Sequence, residues 1–134
     1  MEKNKLIDKL LKTNLLPLAF IGDSVHTLFV REWCLNNAND KMENYHLKAS
    51  KYCKASSQAK VLSLLTDNFA DDEKEIVRRG RNAKPKHQAK NASSSEYSHS
   101  TAFEVLIGYL YMSKKEERLK EILNLSISLL ENEK

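Results

Sequence analysis

Two carboxylic acids stand inside the most apolar stretches of the chain. Asp23 follows Gly22 in LPLAFIGDSV (residues 16–25), and Glu104 precedes Gly108 by four residues in HSTAFEVLIGYLY (residues 99–111). A carboxylate buried without a partner costs several kcal/mol, so each acid needs something to interact with. A glycine inside a helix costs about 1 kcal/mol relative to alanine, so each glycine also needs a local reason.

Close approach of two helices would explain both glycines at once. We predict that the helices carrying Asp23 and Glu104 meet at Gly22 and Gly108, which brings the acids together. Facing carboxylates cannot both stay ionised in a dry site without a cation, and oxygen ligands suit Mg²⁺, which keeps several waters. The pattern therefore indicates a Mg²⁺ site on Asp23 and Glu104. The alternative is that each acid pairs with its own lysine, arginine or helix end.

A second cluster of charge lies just before the Glu104 stretch. The segment RRGRNAKPKHQAK (residues 78–90) contains no acid, and its cations attract phosphate backbones in a salt-dependent way. Residues 81–97 show no hydrophobic period, which predicts a basic loop at about 80–97. The alternative is a solvated loop without a partner. The candidate RNA-binding residues are Arg78, Arg79, Arg81, Asn82, Lys84, Lys86 and Lys90.

The elements that position these residues are predicted to be helices throughout. The chain has 134 residues, 41% of them hydrophobic and 30% charged, with only three glycines and two prolines. This composition favours a single all-α domain over residues 1–134, and apolar residues at helical spacing predict about seven helices. The periodic segments are residues 6–11, 17–35, 42–53, a stretch after 57, one after 72, 98–112 and 115–131.

Local signals set several helix ends. Ser56 or Ser57 is predicted to cap or interrupt the helices near residue 55, and Asp71 or Asp72 is predicted to cap the next one. Gly80 is predicted to end that helix.

The second helix is apolar over nearly its whole circumference, from Leu18 to Trp33. A helix of this kind must be covered on every side. A symmetric dimer with this helix near the two-fold axis would cover it, and a central position in a monomer is the alternative.

The remaining features predict a cytoplasmic protein. Cys34 and Cys53 fall inside apolar helical patterns without zinc spacing, as reduced core thiols do. The start, MEKNKLIDKLLKTN, is amphipathic rather than a secretory signal, and no segment is apolar for long enough to span a membrane.

The two acidic stretches, together with YHLKASKYCKASSQAKVL (residues 45–62) and VRRGRNAK (residues 77–84), resemble the catalytic domain of the ribonuclease III superfamily. The blocks occur in the expected order over most of the chain, without a double-stranded-RNA-binding domain, as in the Mini-ribonuclease III branch. The resemblance implies a helical homodimer that hydrolyses double-stranded RNA with Mg²⁺, leaves 5′-phosphates, and acts on the precursor of large-subunit (23S) ribosomal RNA.

The resemblance also assigns residues. It places the superfamily's catalytic aspartate on Asp23 and its glutamate on Glu104, and it implies that the basic loop enters an RNA groove. Further acids of the superfamily correspond to Leu16, Ala19 and Thr101, which cannot ionise. Thr101 lies one turn before Glu104 and is a candidate to hydrogen-bond a water on the metal, although a hydroxyl bonded to the backbone is an alternative. His26 is interpreted as a packing or surface residue rather than a catalytic one.

Two other functions fit the same residues. A catalytically silent protein that binds double-stranded RNA would explain the missing acids. A helical protein-interaction domain with an incidental basic loop would show no salt-sensitive RNA affinity.

Overall fold

The computed structural model describes residues 2–83 and 94–132, which form helices and no strands. A single 3₁₀ turn, Thr66–Asn68, follows the fourth α-helix. Within these residues the predicted all-α fold with seven helices is confirmed. The helices are α1 (Glu2–Thr13), α2 (Leu16–Asn37), α3 (Met42–Cys53), α4 (Ala55–Leu65), α5 (Asp71–Asn82), α6 (Ser94–Met112) and α7 (Glu116–Glu131).

Helix α6 forms the centre of the domain because it is apolar on every side. Helices α2, α4 and α5 pack around it, and α1 and α7 also contact it. Such a helix positions whatever polar group it carries with little freedom to move. The completely buried residues of α6 are Ala102, Phe103, Val105, Leu106, Ile107 and Leu110.

Helix α2 is only partly covered within one chain. Leu18 and Val30 are completely buried, but Phe20 is 80% exposed and Leu28 is 60% exposed. The alternative that α2 is the fully central helix of a monomer is therefore wrong, because α6 occupies that position.

A smaller apolar cluster joins α2, α3 and α7. Val30 and Cys34 pack there against Ala49, Tyr52 and Ile127. Both cysteines are free, as the apolar pattern around them predicted.

The start of α4 differs from the prediction. The break between α3 and α4 lies at Lys54, whose backbone is extended, and neither serine caps the helix. Ser57 is instead a buried residue inside α4, and its hydroxyl donates to the carbonyl of Lys51 at 2.6 Å.

Both ends of α5 were also predicted incorrectly. The capping position is Ala70, whose N–H donates to the Glu73 carboxylate at 2.8 Å, so Asp71 is already helical. Gly80 lies inside α5, two residues before its end, and a β-carbon there would be 2.9 Å from the Cα of Ala102. Gly80 is thus needed for the close packing of α5 on α6 rather than for ending the helix.

The predicted loop at about 80–97 overlaps two helices at its ends. Helix α5 continues to Asn82 and α6 begins at Ser94. Lys84, Lys86 and Lys90 lie outside the described residues. Within the described ranges, no helix has the length and apolar character needed to cross a membrane.

Candidate active site

Helices α2 and α6 touch backbone to backbone at the two glycines. A β-carbon on Gly22 would lie 1.9 Å from the carbonyl oxygen of Glu104, and one on Gly108 would lie 1.9 Å from that of Leu18. Only glycine fits at either point. This reciprocal contact fixes how α2 is placed against α6, and with it the positions of the residues beside each glycine.

The crossing brings the side chains of Asp23 and Glu104 into direct interaction. Burial, the negative charge of Asp23 and a hydrogen bond with Asp23 together raise the pKa of Glu104 to about 8, and burial is the largest cause. Asp23 is exposed and Glu104 is half-buried, so the pair lies where the core meets solvent. Among the described residues neither acid forms an ion pair with a lysine or arginine.

Three buried polar residues around Glu104 were not recognised as part of the site from the sequence. Gln58 of α4 hydrogen-bonds Glu104, and its Oε1 accepts the hydroxyl of Ser100 at 2.5 Å. Its Nε2 lies 3.1 Å from Nδ1 of His26. Helical spacing could have indicated two of them, because His26 is three residues after Asp23 and Ser100 is four before Glu104. Gln58 lies on a third helix and gives no such signal.

His26 is neutral and forms part of the packing. Its ring contacts that of Phe103 edge-on, with the centroids 4.9 Å apart. Burial lowers the pKa of His26 to about 4, even though the charge of Asp23 opposes this shift. The interpretation of His26 as a packing residue agrees with this position.

Two of the three positions that correspond to the superfamily's further acids lie one turn from the pair. Thr101 is buried in α6, one turn before Glu104, and Ala19 is buried in α2, one turn before Asp23. Leu16 is half-buried at the start of α2. A role for the Thr101 hydroxyl beside a metal stays a prediction.

The four described candidates for RNA binding all lie in the last turns of α5, but their surroundings differ. Arg78 forms an exposed ion pair with Glu75 at 2.6 Å, and the guanidinium of Arg79 donates to the carbonyl of Leu11 in α1. Arg81 is exposed and forms no ion pair or hydrogen bond with any described residue, and Asn82 is exposed at the helix end. Arg81 lines a groove between α4, α5 and α6 together with Lys74, Arg78 and His99.

The donor groups at the acid pair fit a hard divalent cation that keeps most of its waters. No cluster of three or more His, Cys, Asp or Glu residues occurs in the described part of the chain, so a closed, all-protein metal cage is absent there. Two carboxylates with an open, solvent-facing side match the few protein ligands that Mg²⁺ takes. Burial first, and then the charge of Asp23, disfavour the ionised form of Glu104 and raise its pKa, and a bound cation would offset both effects.

Comparison with known proteins identifies the family. The Ribonuclease III domain family matches residues 16–115, which include both acids and both glycines of the crossing. The chain belongs to the ribonuclease III family. This family consists of endoribonucleases, and the predicted enzyme class is therefore confirmed.

Individual relatives support the same assignment. The chain is 42% identical to Mini-ribonuclease 3 of Brevibacillus brevis over 99% of both chains. It is 41% identical to Mini-ribonuclease 3 of Staphylococcus aureus, over 87% of this chain and 89% of the relative. A crystal structure of a Fusobacterium nucleatum protein matches with a TM-score of 0.77 and 28% identity, over 87% of this chain and 93% of that one. The predicted resemblance to the Mini-ribonuclease III branch is thus confirmed.

Proposed function

We propose that this ribonuclease III family member is a Mg²⁺-dependent endonuclease that hydrolyses double-stranded RNA, with Asp23 and Glu104 as its catalytic, metal-holding residues. The observation that carries the proposal is the direct interaction of these two carboxyl groups at the solvent edge of the α2–α6 crossing. Enzymes of the family generally depend on a divalent metal and act on double-stranded RNA.

The acid pair would hold the metal ion that assists hydrolysis. Mg²⁺ bound there would lower the pKa of a water and polarise a phosphate oxygen, the two requirements of phosphodiester hydrolysis at neutral pH. Asp23, which is exposed, and Glu104, which is half-buried, would together hold the cation at the solvent edge of the α2–α6 crossing. We expect in-line attack that leaves 5′-phosphate and 3′-hydroxyl ends, and the hydroxyl of Thr101 would hydrogen-bond a water on the metal.

The basic residues of α5 would hold the duplex. A-form RNA presents phosphates and 2′-hydroxyls rather than readable base edges, and flexible arginines and lysines suit such contacts. Among the described residues Arg81 has no ion-pair or hydrogen-bond partner to hold it, whereas Arg78 and Arg79 each have one. The proposed RNA-binding residues are Arg78, Arg79, Arg81, Asn82, Lys84, Lys86 and Lys90.

We also propose that the active species is a homodimer formed through α2 and α3. Phe20 and Leu28 of α2 and Leu47 of α3 are large apolar side chains that one chain leaves 60–80% exposed. Phe20 lies one turn before Asp23, so a two-fold axis near α2 would bring two acid pairs onto one face. Two sites related in this way would cut both strands of a duplex.

The natural substrate we propose is a precursor of large-subunit (23S) ribosomal RNA, processed in the cytoplasm. The relatives are Mini-ribonucleases, and the resemblance of this chain to that branch implies this substrate. The two free thiols, Cys34 and Cys53, fit a reducing compartment.

The test is duplex cleavage by wild type, Glu104→Gln and a charge-matched control. Glu117 is exposed in the first turn of α7, so Glu117→Gln removes one negative charge without touching the acid pair. We expect Mg²⁺-dependent cleavage by wild type and Glu117→Gln, loss on adding EDTA, and a rate at least about a hundredfold lower for Glu104→Gln with unchanged duplex binding.

The alternative function makes a different prediction in the same assay. A catalytically silent double-stranded-RNA-binding protein would bind the duplex but cleave it in no divalent metal. That result for the wild-type protein would overturn the proposed activity.

A further inference from the structure

We propose that Gln58 is a positioning residue for the metal site: its side-chain amide holds the Glu104 carboxylate in place and ties together the two helices that carry the acids. This inference rests on the proposed function, since it concerns how the same acid pair is held. It assigns a role to a residue that neither the sequence pattern nor the acid pair itself indicates.

Gln58 is a buried amide in α4. The side chain is 2% exposed, although α4 faces the core mainly with Val61, Leu62 and Leu65. A buried amide must find partners for one acceptor and two donors, or it destabilises the fold. Every buried polar side-chain atom within the described residues has a hydrogen-bond partner, so Gln58 meets this requirement.

The partners fix which way the amide points. The hydroxyl of Ser100 donates to Oε1 at 2.5 Å, so the oxygen lies on the Ser100 side. The Nε2 group then carries both donors, one to Nδ1 of His26 at 3.1 Å and one to Glu104. The reverse orientation would aim the amide oxygen at the Glu104 carboxylate, and these two acceptors would repel each other.

The contact with His26 completes the arrangement. A neutral histidine accepts at one ring nitrogen and donates at the other, so acceptance at Nδ1 assigns its proton to Nε2. His26 lies one turn after Asp23 on α2. The Gln58 amide therefore contacts Glu104 on α6 directly. Through His26 it also contacts the turn of α2 that carries Asp23.

Such a link has a chemical purpose beyond packing. Gln58 donates to the Glu104 carboxyl group from a buried amide whose other atoms are held by Ser100 and His26. It also removes rotational freedom from a carboxylate that must point at Asp23. Residues that hold metal ligands in this way typically affect metal affinity by about 10- to 100-fold when they are replaced.

The experiment measures metal affinity directly, with Mn²⁺ as the probe and electron paramagnetic resonance of the free ion as the readout. Gln58→Leu keeps a similar volume but removes both amide donors. Ser100→Ala leaves Gln58 present but removes the hydroxyl that orients it. Ser57→Ala is the matched control, because this neighbouring buried serine donates only to the carbonyl of Lys51.

We expect Gln58→Leu to weaken Mn²⁺ binding by at least about tenfold, Ser100→Ala to weaken it by a smaller factor of about three, and Ser57→Ala to leave it unchanged. Because Ser100 acts through Gln58, the double variant should bind Mn²⁺ no more weakly than Gln58→Leu alone. Excess metal should restore cleavage by Gln58→Leu but not by Glu104→Gln.

A folded Gln58→Leu protein with Mn²⁺ affinity within twofold of wild type would overturn the positioning role. If that variant does not fold, Ser100→Ala decides the question, and unchanged affinity there overturns the role as well. A wild-type protein that binds Mn²⁺ but cleaves no duplex RNA contradicts the proposed function alone. A wild-type protein that binds no Mn²⁺ contradicts both proposals.

Discussion

Gly22 of α2 lies so close to Glu104 of α6 that a β-carbon on the glycine would come within 1.9 Å of the glutamate carbonyl oxygen. The same contact recurs one turn along, between Gly108 and Leu18. The residue after Gly22 is Asp23. The crossing that brings the backbones together therefore also sets the position of both carboxyl groups.

Replacing Gly22 with alanine is expected to reduce both stability and activity. Alanine favours helix by about 1 kcal/mol, but the backbone clash would force α2 away from α6 and cost roughly 1–3 kcal/mol overall. A displacement of about 1 Å at the acid pair is enough to lower kcat roughly a hundredfold. Thermal unfolding and duplex cleavage would measure the two effects. Ser24→Ala, at an exposed position two residues after Gly22, serves as the control, and a fully active, equally stable Gly22→Ala would contradict the expected clash.

The metal-free protein is expected to lose stability as the pH rises from about 6.5 to 8. The folded-state pKa of Glu104 is about 8, above its unfolded value, so its contribution is present at low pH and disappears as pH rises through 8. His26 acts in the opposite sense between pH 4 and 6.5, because its folded-state pKa is lowered to about 4 and it gains stability as pH rises. The two effects offset each other below pH 6.5, and only that of Glu104 operates above it.

Urea unfolding in EDTA at pH 6.5 and pH 8 would measure this loss. Glu104→Gln should remove it, and Mg²⁺ should reduce it by offsetting the charge of the acid pair. A wild-type protein equally stable at both pH values would show that Glu104 titrates normally.

Arg81→Ala is expected to weaken binding to duplex RNA without affecting the fold. Arg81 is exposed and has no ion pair or hydrogen bond with the described residues, so its removal should cost little stability. Loss of one phosphate contact should reduce the slope of log affinity against log salt by about 1. Titrations at several salt concentrations would show this, with Lys41→Ala, an exposed lysine between α2 and α3, as the charge-matched control.

Arg79→Ala tests the same surface less directly, because the substitution also affects the fold. Its guanidinium donates to the carbonyl of Leu11, so replacement should also loosen the contact between α1 and α5. An unchanged salt slope in Arg81→Ala would remove that side chain from the RNA surface, whatever Arg79→Ala does.

Phe20→Asp is expected to convert a dimer into a monomer. Phe20 is 80% exposed in one chain, so the substitution should hardly change the stability of the monomer itself, whereas an aspartate at an apolar interface would be buried without a partner. Sedimentation analysis would follow the change. Leu64→Asp, at an exposed leucine of α4, is the control. A wild-type protein that is already a compact monomer at micromolar concentration would contradict the dimer.

The residues of the candidate site differ in how clearly the sequence indicates them. Asp23 and Glu104 were recognisable because each is an acid in an apolar helix beside a glycine. His26 and Ser100 lay within one turn of an acid but look like ordinary helix residues. Gln58 was missed because its partners are 32 and 42 residues away and on other helices.

Helix ends show the same division. Hydrophobic periodicity fixed the existence and order of the helices, but Gly80 was misread as a terminator. Glycine is needed at this position because Ala102 of α6 packs closely against it, and only the packed structure reveals that contact.

The amino-acid sequence by itself determined the all-α class, the central apolar helix segments and the two acids with their glycines, since these depend on local pattern and on the cost of burying charge. Only the tertiary structure decided which helix is fully buried, that α4 supplies an amide to Glu104, and that Arg79 is bound to α1. These outcomes depend on contacts between residues distant in sequence, and such contacts leave no trace in local periodicity.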